Sequence, residues 1–96
     1  MSATGPFFVT PHALRAWRER VEGAQCAWST EAEYRRSLRA MIDDLVLAHY
    51  VRPARNGADL WRGPSPRRAR FIIGGEMRGA KRAVVTVLAE HDEAAC

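Results

Sequence analysis

The chain has 96 residues, 47% of them hydrophobic and 27% charged, with a formal net charge of +4. This composition excludes a disordered chain and fits one small domain over 1–96. No apolar run approaches the roughly 20 residues that span a membrane, and no basic segment with an apolar core opens the chain. Because the only cysteines are Cys26 and the terminal Cys96, we expect a protein of the reducing cytoplasm that does not act at a membrane.

The first predicted element is a short strand, Phe7 to Thr10, which leads into a helix from about Pro11 to Glu22. Thr10 suits the N-cap and Pro11 the first helical position. His12 therefore falls near the positive end of the helix dipole, a position that favours an anion such as phosphate. Helical spacing predicts one buried apolar stripe, formed by Ala13, Leu14, Trp17 and Val21.

The second predicted helix begins at a capping box, in which Thr30 is the N-cap and Glu33 stands at the third helical position. It is expected to run to about His49, whose imidazole would suit the negative end of the dipole and have a structural role. Its apolar side chains follow helical spacing: Tyr34, Leu38, Met41, Ile42 and Leu45.

The remainder of the chain predicts two hairpins. Asn56-Gly57 separates two short segments, 51–55 and 58–62, and Pro53 would place the first of them at a sheet edge. The second hairpin pairs 70–77 with 81–90, and Gly74-Gly75 inside it predicts a bulge or a close approach to the backbone. The expected fold is α+β: two N-terminal helices on a small antiparallel sheet, in the order β-α-α-β-β-β, with room for one more edge strand.

Basic residues are concentrated in the predicted sheet. Fourteen of the fifteen are arginine, a bias that favours phosphate recognition, although a GC-rich genome would produce it too. Residues 52–82 hold nine basic and two acidic side chains, a local excess of +7. Residues 90–96, which include three acidic side chains, are predicted to form an acidic and disordered tail. Such a field attracts polyanions.

His12 is the first candidate site residue. A neutral imidazole there could act as a general base on a ribose hydroxyl, and its cation could hold a phosphate. The alternative is a histidine that only helps to begin the helix. Nearby arginines could bind the same phosphate, but the Arg15–Glu19 and Arg18–Glu22 spacings also predict ion pairs on a solvated face. The candidate phosphate-binding residues on this helix are Arg15, Arg18 and Arg20.

The order of elements resembles the RelE/ParE-type toxin fold. The stretches 12–21 (His-Ala-Leu-Arg-Ala-Trp-Arg-Glu-Arg-Val) and 84–88 (Val-Val-Thr-Val-Leu) are also similar to small bacterial and phage domains that open with a His-Ala-Leu-x-Arg helix and close on a Val-Val-Thr-Val strand. Ala16 stands where that family has an arginine.

The resemblance to RelE-type ribonucleases implies two further roles. Arginines on a concave sheet would stabilise a pentavalent phosphate, and those on or beside the predicted strands are Arg62, Arg70 and Arg82. A histidine just past the last strand would take part in proton transfer, and His91 holds that position, flanked by acidic residues that oppose phosphate.

Trp61 has two interpretations, base stacking beside Arg62 or membership of the core.

The histidines and cysteines of the chain lack metal-ligand spacing. The chain also carries no phosphate-binding loop, dinucleotide fingerprint or Ser/His/Asp pattern, so we expect neither a metal nor a cofactor.

The leading hypothesis is a small basic protein that binds RNA or another phosphate-rich ligand such as a nucleotide, with metal-independent RelE-like ribonuclease activity as its catalytic form. The alternative is a phage or mobile-element anti-defence protein that blocks a host nucleic-acid-binding protein or sequesters a signalling nucleotide. A protein partner, either an antitoxin or a host defence protein, and a homodimer are compatible with both. A catalytically inactive homodimeric scaffold is a third alternative.

Overall fold

The computed structural model describes residues 7–89, with the side chains of 76–78 left out of the description. Five strands, two α-helices and two other helical segments follow one another. They are β1 (Phe7–Val9), α1 (Pro11–Ala16), a π-helical segment (Trp17–Val21), α2 (Glu31–Val46), β2 (His49–Pro53), a 3₁₀ turn (Arg55–Gly57), β3 (Asp59–Arg62), β4 (Arg70–Arg78) and β5 (Lys81–Leu88).

The strands form one sheet in the order β1-β5-β4-β3-β2. The α+β class is confirmed, and β2 is the additional edge strand. The expectation of an antiparallel sheet is wrong for one pair, since β1 runs parallel to β5. Parallel neighbours need a long crossover, and here every other element lies between these two strands in sequence. The sheet is therefore mixed.

The start of α1 is fixed to the sheet by one side chain. The Thr10 hydroxyl accepts a hydrogen bond from the Ala13 N–H at 3.2 Å and donates to the Val84 carbonyl at 2.7 Å. The predicted N-cap and Pro11 start are confirmed. The expected continuous α-helix to Glu22 is wrong, because the π-helical segment follows Ala16. At the end of this segment Glu22 accepts a hydrogen bond from the Trp17 indole N–H at 2.8 Å.

The predicted N-cap Thr30 begins α2, while Glu33 reaches back to the residue before the N-cap and not to the N-cap itself as a capping box requires. The Thr30 hydroxyl accepts from the Glu33 N–H at 3.1 Å, and the Glu33 carboxylate accepts from the Ser29 N–H at 3.2 Å. The expected extension to His49 is wrong, because α2 ends at Val46 and His49 opens β2. His49 pairs with Arg62 across the sheet, so tertiary strand pairing decides its conformation.

The core lies between the sheet and the helices. Trp17 is stacked against Phe71 with the ring centroids 6.2 Å apart, and Met41 and Leu45 of α2 are buried beside them. Arg67 covers the Trp17 ring at 5.6 Å and donates to Asp44 at 2.9 Å. Most of the predicted stripe is confirmed: Ala13, Leu14 and Trp17 are buried, whereas Val21 is half-buried.

Both predicted hairpins are present. Asn56 and Gly57 have φ values of 56° and 75° in the turn between β2 and β3, and β2 lies at the sheet edge as Pro53 predicts. The β4–β5 ladder shifts register near Gly74-Gly75, which confirms the bulge. A Cβ on Gly75 would collide with the Gly57 carbonyl oxygen, so the group that approaches this backbone is the chain itself.

Candidate nucleic-acid interface

The register places two arginines side by side on the sheet. Arg62 of β3 lies directly opposite Arg70 of β4, His49 of β2 lies on the other side of Arg62, and Leu88 of β5 lies opposite Arg70. Directly opposed residues of antiparallel strands project from the same face. We call His49, Arg62 and Arg70 the basic row.

The basic row lies on the face away from the core. Along β4, Phe71 and Ile73 are fully buried in the core, whereas Arg70 and Ile72 alternate with them and are half-buried. We call the side that bears Arg70 and Ile72 the outer face. Leu60 lies opposite Ile72, and Arg52 lies opposite Leu60 on the edge strand. Arg52 therefore adds a third guanidinium next to the basic row.

Arg62 and Arg70 form a pair of like charges, which is destabilising across a ladder. An arrangement of this kind raises the local positive potential, and each of the two residues also has a further interaction within the protein. Planar guanidinium groups also donate to phosphate oxygens in a bidentate manner. The chemistry that this face supports is anion binding.

Arg82, the third sheet arginine that the sequence suggests for phosphate binding, has structural contacts. Its Nε donates to the Gly74 carbonyl at 2.6 Å, and its Nη2 donates to Asp59 at 2.8 Å and to the Ile73 carbonyl at 3.3 Å. The two carbonyls lie where the β4–β5 register shifts, and Asp59 lies opposite Ile73 on β3. Arg82 supplies the donors that carbonyls freed by a bulge require.

The arginines of the first helical region are placed differently from one another. Arg18 forms the predicted ion pair with Glu22 at 3.1 Å and lies 3.7 Å from Glu33, and its guanidinium covers Trp28 at 5.9 Å. Arg20 donates to the Val87 carbonyl of β5 at 3.1 Å. Arg15 is exposed and borders a shallow depression with Arg18 and Trp28.

His12 is exposed as the second residue of α1. The Thr10–Val84 hydrogen bond and the packing of Ala13 and Leu14 place α1 on the core side of the sheet. His12 thus belongs to a helix that packs on the core side, whereas the basic row lies on the outer face. Residue His91, with the rest of 90–96, lies outside the described residues.

Trp61 packs on the core side. Its ring meets Phe7 edge-on with the centroids 5.1 Å apart and meets Tyr50 at 6.0 Å, and it lies opposite the core residue Phe71. It is half-buried against the core. Trp61 thus faces away from its neighbour Arg62, which projects from the outer face.

A cavity of about 380 Å³ opens on the outer face beside the turn that joins β2 and β3. Sequence analysis did not predict it. The signals that could have found it are Asn56-Gly57, which forms the turn, and Gly74, which lines the cavity on the facing strand.

Within residues 7–89, no three His, Cys, Asp or Glu side chains are grouped as metal ligands. In the same range, no helix combines the length and the apolar character that crossing a membrane requires. The chain matches no protein family, no curated protein and no solved structure.

Proposed function

We propose that this protein binds RNA or another phosphate-rich ligand on the outer face of its sheet. The observation that carries the proposal is the density of arginine on adjacent strands, where Arg62 lies directly opposite Arg70. Arg52 extends the positive charge toward the sheet edge, and the local excess of +7 over residues 52–82 gives the region a field that attracts polyanions.

The proposed activity is binding without catalysis. RNA hydrolysis is an outcome that would contradict it. A general base must come within hydrogen-bond reach of the proton that it removes. Because His12 belongs to a helix that packs on the core side, we place it outside the binding site on the outer face. RNA cleavage that is lost in His12→Ala would contradict this assignment and would point to the ribonuclease hypothesis.

Fluorescence anisotropy of a labelled single-stranded RNA decamer between 50 and 200 mM salt tests the proposal. Affinity should fall with a log–log slope of about −0.7 for each phosphate contact. In the double variant Arg62→Gln/Arg70→Gln, the slope should become shallower by about 1.4, since two contacts are lost.

Arg35→Gln is the matched control for a lost positive charge. Arg35 is exposed on α2, where it pairs with Glu31. The control should change the slope by much less than the double variant does. An unchanged slope in the double variant, or no binding to RNA by the parent protein, would remove the proposed function.

A further inference from the structure

The cavity beside the turn between β2 and β3 has the size of a small-molecule site, with a volume of about 380 Å³. Its walls are aliphatic, and they are formed by Ala54, Ala58, Ile72 and Val85. Val85 is 45% exposed although it is a large hydrophobic residue. Covering such a side chain with an apolar group removes its surface from water, which is favourable. The cavity therefore suits an apolar ligand group.

Two polar side chains of the turn border this aliphatic space. Asn56 carries a neutral carboxamide, and Arg55 carries a guanidinium group that is exposed to solvent. Within residues 7–89, the Arg55 side chain forms no ion pair. A guanidinium group binds a carboxylate in a bidentate manner. The lining thus combines aliphatic walls with a cation at the rim.

Contacts within the chain hold the turn against the sheet. The Ala54 N–H donates to the Ala58 carbonyl at 2.8 Å and closes the turn. The Gly57 carbonyl lies so close to Gly75 of β4 that a Cβ at position 75 would collide with it. Because these contacts fix the walls on both sides of the cavity, little conformational entropy is lost when a ligand binds there.

The cavity is separate from the basic row. Leu60 lies between Ala58, which lines the cavity, and Arg62 in the sequence of β3 and the residue before it. It is 3% exposed. A ligand in the cavity therefore does not have to contact the arginines of the basic row, and the site does not depend on RNA binding.

We propose that the cavity binds a small monocarboxylate with an aliphatic chain, of the class of medium-chain fatty acids. The carboxylate lies at Arg55, and the chain lies between Ile72 and Val85. A neutral hydrocarbon would leave the Arg55 cation without a counter-charge, and a compact anion such as phosphate would leave the aliphatic walls in water. The ligand class therefore combines one negative charge with one apolar chain.

Isothermal titration calorimetry with octanoate, hexanoate and 1-octanol tests both parts of the proposal. Octanoate should bind about tenfold more tightly than hexanoate, because two more methylene groups leave water. The neutral 1-octanol should bind about threefold more weakly than octanoate, because it lacks the ion pair with Arg55, which is exposed to solvent.

Gly74→Val fills the cavity. Gly74 lines it together with Val85, and a Cβ at position 74 would lie 3.4 Å from Val85 Cγ2, which is ordinary contact. The larger valine side chain occupies the space that the proposal assigns to the aliphatic chain. The affinity for octanoate should therefore fall at least about tenfold.

Arg55→Gln should remove the advantage of octanoate over 1-octanol and leave the affinity for 1-octanol unchanged. Arg36→Gln is the matched control for a lost positive charge, since Arg36 is exposed on α2 and does not line the cavity. The control should leave the affinities for both ligands unchanged.

Equal binding of octanoate and hexanoate by the parent protein, or binding of neither, would overturn the proposal. A folded Gly74→Val protein that binds octanoate as the parent does would also overturn it. If Gly74→Val does not fold, Gly74→Ala takes its place, and unchanged octanoate binding by that variant has the same meaning. Equal binding of octanoate and 1-octanol by the parent protein would overturn the assignment of the carboxylate to Arg55.

Discussion

Arginines of the first helical region and arginines of the outer face have different surroundings, although the sequence offers both as phosphate ligands. Arg18 lies between the carboxylates of Glu22 and Glu33, and Arg20 holds a carbonyl of β5. Arg62 lies directly opposite the like charge of Arg70, and each of these two residues also has a further interaction within the protein. The charge of the nearest cross-strand or helical neighbour therefore distinguishes the two groups, whereas the number of arginines in each segment does not.

Arg82 should show the largest effect on stability. In Arg82→Gln, the Asp59 carboxylate and the Gly74 and Ile73 carbonyls lose their charged donor. We expect a loss of about 2–3 kcal/mol in the free energy of unfolding, measured by urea denaturation with tryptophan fluorescence.

Arg82→Lys is the control that retains the charge, and it should restore only part of this loss because an ammonium group lacks the planar fork. If Arg82→Gln kept its stability and bound RNA more weakly, Arg82 would belong with the phosphate ligands. The distinction between Arg82 and the arginines of the basic row would then be wrong.

Arg18 should show an intermediate effect. Arg18→Gln removes the ion pair with Glu22 and the cation–π contact with Trp28. In that ion pair the Arg18 side chain is 22% exposed and the Glu22 side chain is 24% exposed. A loss of about 1 kcal/mol is expected by the same denaturation measurement. The salt slope of RNA binding should stay as in the parent protein. A shallower slope would mean that Arg18 contacts phosphate after all.

Arg62 and Arg70 should show the smallest effect on stability. Neutralising both in Arg62→Gln/Arg70→Gln relieves the cross-strand repulsion, which offsets the contacts that the two side chains lose, so stability should change by less than about 0.5 kcal/mol. A loss as large as that of Arg82→Gln would show that these arginines also maintain the fold. Binding losses in such a variant could then not be assigned to phosphate contacts.

Local signals were sufficient to predict most elements. Thr10 and Thr30 cap their helices, Asn56-Gly57 forms the hairpin turn, and Gly74-Gly75 lies in a bulge. Each of these depends on the conformational preference or the hydrogen-bonding groups of a few neighbouring residues, which the sequence states directly.

The sequence-based predictions failed where contacts with a segment distant in the chain determine the conformation. His49 continues a helical pattern but joins a strand because Arg62 is available to pair with it. The π-helical segment was not predicted, and within it the Trp17 indole donates to Glu22, which also accepts from Ser37 of α2. Neither partner choice is visible in local periodicity.

The sequence by itself determined the α+β class, the apolar stripe of the first helix, the hairpins and the basic character of the sheet region, because spacing and composition encode these directly. Only the tertiary structure decided which arginines face one another, that Arg82 donates to Gly74, Ile73 and Asp59, and that the helix with His12 packs on the core side of the sheet. Strand order and register depend on pairing between segments far apart in the chain, and a one-residue change in register would move every side chain of a strand to the other face.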